Sequence, residues 1–214
     1  MLPLILLSHG SRHAHAQAGI DALVRAVAGE LGCAVEDAHL DFSERTLTDV
    51  AKRYPRAVVV PLLFSSGYHA RADVPAEVAA AQEETGCELI LADTLGVGPE
   101  IAQLLARGAP EGKDLVLYPV GSSRMQARAD YTTLQDTLSR ITGRDVEVIP
   151  ATGEGSGLEQ LGDRSVHVMP LFVTDGLLLD KARAQLNESS TISAPLTAAL
   201  APVVSSRYRQ AVSS

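Results

Sequence analysis

The sequence predicts an α/β protein built as two similar lobes, each a parallel sheet covered by helices on both faces, with a cleft between them. Three observations carry this expectation. Short continuous apolar runs alternate with longer amphipathic stretches, as in strands buried on both faces and joined by crossover helices. The same order of motifs occurs twice. A polar Gly/Pro-rich link, "RGAPEGKD" from Arg107 to Asp114, separates the copies.

In order along the chain, strands are predicted at Leu2–Ser8, Ala34–Leu40, Ala57–Phe64 and Glu88–Thr94. The second half repeats them at Asp114–Val120, Val146–Pro150, Val166–Phe172 and Thr191–Ser193. Helices are predicted in "AQAGIDALVRAVAGELG", "ERTLTDVAKRY", "PAEVAAAQEETG" and "ADYTTLQDTLSRITG". The tail after Val203 reads as a short docking helix or a frayed end. "LILLSHGS" at Leu4 pairs with "LVLYPVGS" at Leu115, "VVPLLFSSG" at Val59 with "VMPLFVTDG", and "TLGVGPEIAQLL" at Thr94 with "TISAPLTAAL" at Thr191. The separations are 111, 109 and 97 residues, so the second copy is expected to lose about a dozen residues in its third helix. Residues 1–108 are then an N-terminal lobe carrying the active site, and residues 112–214 a degenerate C-terminal lobe.

Composition narrows the partners. Among 214 residues 46% are apolar, enough for full cores, and the formal net charge is −8. With no basic stripe, nucleic acid is not an expected partner. No apolar run approaches the roughly 20 residues that span a bilayer, and "MLPLILLSHGSR" lacks the basic start and cleavage site of a signal peptide. A soluble, cytoplasmic protein with no membrane partner is expected. Cys33 and Cys87 form no CxxC and are expected to be buried, reduced thiols.

The repeat acts as an internal control for chemistry. Carboxyl ends of successive strands in the first half carry His9, then Asp41 with Glu44, then His69. At the matching positions of the second half the sequence has Val120, Pro150, Gly153 and Leu178. The polar residues vanish while the strands remain, which favours one working site in the N-terminal lobe. A lone histidine is usually an ordinary surface or core residue. Two at strand ends, with carboxylates, suit a transient divalent metal or a base near pH 7. His13 and His15 fall two apart on a predicted helix and so on different faces, while His39 and His167 lie within strands and read as ordinary. "GVGPEI" fails the GxGxxG pattern and "GEGSG" is not GxSxG.

"LLSHGSR", "HLDFSERTL" and "VVVPLLFSSGYHARADVP" together closely resemble the sirohydrochlorin chelatases, class II tetrapyrrole metal chelatases of siroheme and cobalamin synthesis. The resemblance is strongest over residues 4–100. It implies ATP-independent insertion of Fe²⁺ or Co²⁺, as co-substrate and with no permanent cofactor, into sirohydrochlorin. By that resemblance His9 is proton acceptor and metal ligand, and His69 and Asp41 are metal ligands. Glu44 is then catalytic and a macrocycle contact, alongside Arg45, Phe64, Ser65, Ser66, Gly67, Tyr68 and His69. Asp41 stands where the family usually has glutamate and Arg45 where proline is common, so which of Asp41 and Glu44 faces the metal stays open.

Because the substrate is rich in carboxylates while the chain is acidic, Arg12 and Arg71, flanking the histidines, are expected to bind it, with Arg124 at the equivalent turn of the second lobe. A monomer with pseudo-twofold lobes is expected. A tetrapyrrole carrier or metal chaperone is the alternative built on the same residues. A histidine-phosphatase-like enzyme is disfavoured, because Ser8 and not arginine precedes His9.

Overall fold

The structure, a computed structural model, describes residues 1–65 and 73–213. All eight expected strands are present, each within a few residues of its predicted bounds. They are β1 (Leu4–Ser8), β2 (Val35–His39), β3 (Arg56–Pro61), β4 (Glu88–Leu91), β5 (Asp114–Tyr118), β6 (Val146–Val148), β7 (Val166–Pro170) and β8 (Thr191–Ile192). They form two four-stranded parallel sheets of matching order, β2-β1-β3-β4 and β6-β5-β7-β8. The expected duplicated α/β fold is therefore the observed one. Central strands are apolar throughout, with Leu4 to Leu7, Val58 to Val60 and Leu115 to Tyr118 all buried, because both faces of such a sheet are covered.

The helices are α1 (Ala16–Leu31), α2 (Leu47–Ala51), α3 (Val74–Thr85), α4 (Pro99–Arg107), α5 (Met125–Thr142), α6 (Leu177–Gln185) and α7 (Ala201–Ser213). In α1, Ala16, Ile20, Leu23, Val27 and Leu31 recur at helical spacing and are buried as one stripe, and Gly32 ends the helix in a left-handed conformation. Thr46 caps α2 by accepting a hydrogen bond from the Asp49 N–H. His13 and His15 lie ahead of α1 and not on it. The turn there brings their rings to 5.5 Å, and His13 Nδ1 accepts from the His15 N–H at 3.3 Å. The tail after Val203 continues α7 through Ser213.

The chain divides into two compact units that do not follow the repeat boundary. Residues 1–96 and 197–214 form one unit, and 97–196 the other. The two differ because the fourth helices are exchanged. After β4 the chain leaves its own sheet, and α4 packs on α5. After β8 it returns, and α7 packs on α1, β3 and β4, burying Val203, Val204 and Tyr208. Arg207 holds it by donating to the Thr94 and Leu95 carbonyls at 2.9 Å each, and the Tyr208 hydroxyl donates to the Leu2 carbonyl at 2.7 Å.

The ladders also fix the repeat's registration. Leu4 faces Val35 and Leu115 faces Val146, an offset of 111 residues. Asp41 N–H donates to the His9 carbonyl at 2.9 Å, and Thr152 N–H to the Val120 carbonyl at 3.0 Å. The counterparts of Asp41 and Glu44 are therefore Thr152 and Gly155, two residues beyond the Pro150 and Gly153 expected from sequence. In the last strands, Val58 pairs with Ile90 and His167 with Thr191. That registers Ile90, not Thr94, with Thr191, so the shortening is less than a dozen residues. It falls where the 12-residue α3 is matched by the 9-residue α6.

Both thiols are free. Cys87 is buried and Cys33 half-buried, and burial pushes both thiols up from their usual range.

Candidate active site in the first unit

Chain order sends β2 to one side of β1 and β3 to the other, which opens a crevice beyond the carboxyl ends of β1 and β3, the usual ligand position in such sheets. His9 directly follows β1, Asp41 follows β2 by two residues, and Phe64 and Ser65 lead away from β3. The structure thus gathers three of the sequence-predicted loops at one edge. Ser66, Gly67, Tyr68, His69 and Arg71, from the same set, lie outside the described residues.

His9 is exposed and sits on a sharply constrained turn. Gly10 has φ +91°, and a Cβ there would lie 1.9 Å from the Asp41 carbonyl oxygen, so no other residue fits without moving the strand end. Asp41 and Glu44 are both exposed. The Asp41 carboxylate accepts from the Phe42 N–H at 2.8 Å, which bends the loop back beside His9.

Phe42 is the residue that sequence reasoning missed. It is 44% exposed, meets the His9 ring edge-on at 5.7 Å between centroids, and lies under the Arg12 guanidinium at 4.7 Å. Its φ is +58°, a conformation that costs a bulky residue about 1 kcal/mol or more. The counterpart in the second unit, Gly153, adopts φ +89° at no such cost. What marks it is a large exposed aromatic in a backbone position that glycine fills in the sister unit, a correspondence visible only once the hydrogen bonds register the two units.

Beneath this surface lies a network of charged and polar side chains. Burial favours the neutral Asp37 carboxyl, but hydrogen bonds from His39 and Gln17 and the Arg45 charge outweigh it and hold the group down at about 2. His39 Nε2 stands 3.1 Å from Asp37 Oδ2, with side chains 6% and 5% exposed. Arg45, expected to contact substrate, has its guanidinium on Asp37 Oδ1 at 3.1 Å and Glu36 Oε2 at 2.7 Å. His39, expected to be ordinary, is a fully engaged member of this network. His167 in the second unit is held by hydroxyls instead, Thr191 at 2.8 Å and Ser193 at 2.9 Å, and burial lowers its pKa. Among the described residues no group of three metal-binding side chains is assembled, and no helix is long and apolar enough to cross a membrane.

Comparison with known proteins bears on the family and the fold. The CbiX family profile matches residues 3–111. The sirohydrochlorin cobaltochelatases of Sulfurisphaera tokodaii and Saccharolobus islandicus are 30% and 34% identical to this chain over 82 and 89 residues. Those matches span 36% of this chain and 66% and 70% of the two enzymes. Among solved structures, the sirohydrochlorin chelatase SirB from Bacillus subtilis subspecies spizizenii, in complex with cobalt, aligns at TM-score 0.82 and 22% identity over 100% of this chain and 96% of its own. CbiX, the terminal enzyme for biosynthesis of siroheme in denitrifying bacteria, aligns at TM-score 0.72 and 17% identity over 99% and 98%. These likenesses extend the shared fold through the second unit, while the sequence match is concentrated on the half that bears His9, Asp41 and Phe42. On the profile match and the 34% identity together, the chain belongs to the CbiX family.

Proposed function

We propose that this chain is a sirohydrochlorin metal chelatase that inserts Fe²⁺ or Co²⁺ into the macrocycle without ATP, acting as a cytoplasmic monomer. The observation that supports it most is the placement of His9 at the β1–β3 crevice beside Asp41, on the segment that carries the family match. Metallation requires the ring to lose two pyrrole protons and the metal to shed water. In this reading, His9 would ligate the incoming metal through its imidazole lone pair, with Asp41 and His69 completing a low-coordinate perch, and would take up a pyrrole proton on that same lone pair once the metal has passed to the ring. Glu44 contacts the macrocycle or takes up a proton from the same loop. Phe42 offers a flat hydrocarbon surface to the ring, and Arg12 above it a charge for the carboxylate rim. Arg45, paired with Glu36 and Asp37, supports the loop from below. Phe64 and Ser65 contact the macrocycle in this reading, as do Ser66, Gly67, Tyr68, His69 and Arg71.

Following the sirohydrochlorin absorption bands under anaerobic conditions, with Fe²⁺ or Co²⁺ and with or without the protein, tests the proposal directly. Rate acceleration with catalytic turnover is expected. Stoichiometric binding with no acceleration for either metal would assign the chain to the carrier reading.

A further inference from the structure

The side chains below the His9 turn form a directional chain that the ordinary needs of the fold do not explain. Gly10 N–H donates to Ser8 Oγ at 3.2 Å. Ser8 Oγ lies 2.7 Å from His39 Nδ1, and His39 Nε2 lies 3.1 Å from Asp37 Oδ2. Asp37 is held in turn by Gln17 Nε2 at 3.0 Å and by Arg45. With the His39 Nε2 proton directed at the Asp37 carboxylate, the Ser8 hydroxyl is the group that can donate to Nδ1 while its lone pairs accept from Gly10 N–H. The His9 carbonyl is pinned from the other side by Asp41 N–H at 2.9 Å. Both polar ends of the His9–Gly10 peptide group, its carbonyl and its N–H, are therefore held.

The duplicated unit separates what the fold needs from what the site needs. The Glu36–Arg53 ion pair recurs as Glu147–Arg164, at the same 111-residue offset. It is scaffold. Under the same registration Ser8 becomes Pro119, Asp37 becomes Val148, His39 becomes Pro150 and Arg45 becomes Ser156. The turn itself survives, since Gly121 has φ +99° and the Thr152–Val120 hydrogen bond is made. The chain is thus absent from the unit that also lacks the histidine.

We propose that Ser8, His39 and Asp37 form a positioning network that locks the His9–Gly10 turn so that the His9 imidazole is held ready for its reaction. The proposal rests on the reading of His9 as the reacting base and ligand. None of the three residues needs to touch substrate; they act through His9.

The decisive variant is Ser8→Ala, which removes the acceptor of Gly10 N–H without stranding a buried charge. Its kcat for metallation should fall about tenfold with KM for the tetrapyrrole little changed, as expected when a reacting group loses orientation. The Gly10 amide should exchange faster with solvent, and Ser8→Thr, which keeps the hydroxyl, should restore both. Added to His9→Ala, Ser8→Ala should cause no further loss. Arg53→Ala, which breaks the duplicated scaffold pair, should leave kcat unchanged. A Ser8→Ala enzyme with wild-type kcat and Gly10 protection overturns the network, as does a further loss on the His9→Ala background. If the wild-type protein itself fails to metallate, the functional reading falls. Gly10 exchange in Ser8→Ala then still decides whether the lock exists, unchanged protection overturning it.

Discussion

The two units are built on one plan and differ at one edge. In the first, the carboxyl ends of β1 and β2 lead to His9, Asp41 and Phe42; in the second, those of β5 and β6 lead to Val120, Thr152 and Gly153. Sheet order, left-handed glycines and a surface ion pair are shared. The comparison teaches that the turn geometry is a property of the fold, whereas its imidazole, carboxylate and strained phenylalanine are additions to it. It also isolates the exchanged helices α4 and α7 as what ties each unit to the other half of the chain.

That tie gives the largest expected effect. A fragment ending at Pro110 retains the first sheet but lacks α7, whose Val203, Val204 and Tyr208 are buried in that unit. It also carries α4, with Ile101, Ala102 and Leu105 buried in the intact chain, with nothing to pack on. The fragment should be poorly soluble, or should dimerise with α4 of each copy taking the place of α7 in the other. Size-exclusion chromatography with a metallation assay distinguishes these outcomes, and a stable, active monomer would break the comparison.

Within the intact chain, His9→Ala should lower kcat by roughly a hundredfold to ten-thousandfold and leave the thermal midpoint nearly unchanged, because His9 is exposed. Near-normal turnover at saturating metal would remove His9 from the mechanism. The carboxylates should behave unequally. Asp41 is hydrogen-bonded through its backbone to His9, while Glu44 lies three residues further on, so Asp41→Asn should cost about a hundredfold and Glu44→Gln less than about tenfold. Equal losses would mean that both carboxylates act on the same atoms.

How much of this was legible in the sequence depends on what each residue answers to. The strands were, because burial on both faces leaves continuous runs such as "LILL" and "AVVVP" that have few alternative readings. So was the His9 turn, since histidine followed by glycine at a strand end is a local signal. The registration of β2 with β6 was not. "VEVIPATGEGSG" is apolar past the end of its three-residue strand, and only the hydrogen bonds to the His9 and Val120 carbonyls fix which residues correspond. Nor was the exchange of α4 and α7, because an amphipathic helix records that it is buried but not against which sheet. The Ser8–His39–Asp37 chain joins residues on two strands, and a histidine inside a strand looks the same whether or not it is bonded.

Phe42 gives a subtler test of the same comparison. Replacing it with the residue its sister carries, Phe42→Gly, removes the strain of φ +58° but also the contacts to His9 and Arg12. The relief is worth about 1 kcal/mol, and the lost surface contacts are of similar size, so the thermal midpoint should stay level or rise slightly. KM for the tetrapyrrole should rise severalfold. A variant that loses stability and keeps KM would make Phe42 a structural residue.

The last effect concerns acid and is read in stability alone. Val148 replaces Asp37 in the second unit, so the two units should differ in how they meet falling pH. Asp37 titrates at about 2 in the folded protein and near 3.9 when unfolded. A carboxyl lowered on folding stabilises the native state above its unfolded pKa, and that stability is lost as pH falls through the folded value. For this nearly buried side chain the contribution is about 2 kcal/mol at neutral pH, fading from about pH 4 down to about pH 2. Asp37→Asn should therefore be less stable than the wild type at pH 7 by about that amount, with the gap narrowing toward pH 2 as the wild type becomes protonated. Urea melts of both proteins at pH 7, 4 and 2 measure this. A gap of constant size across that range would show that the loss on substitution is one of packing and hydrogen-bond geometry, and that the charge of Asp37 contributes nothing of its own.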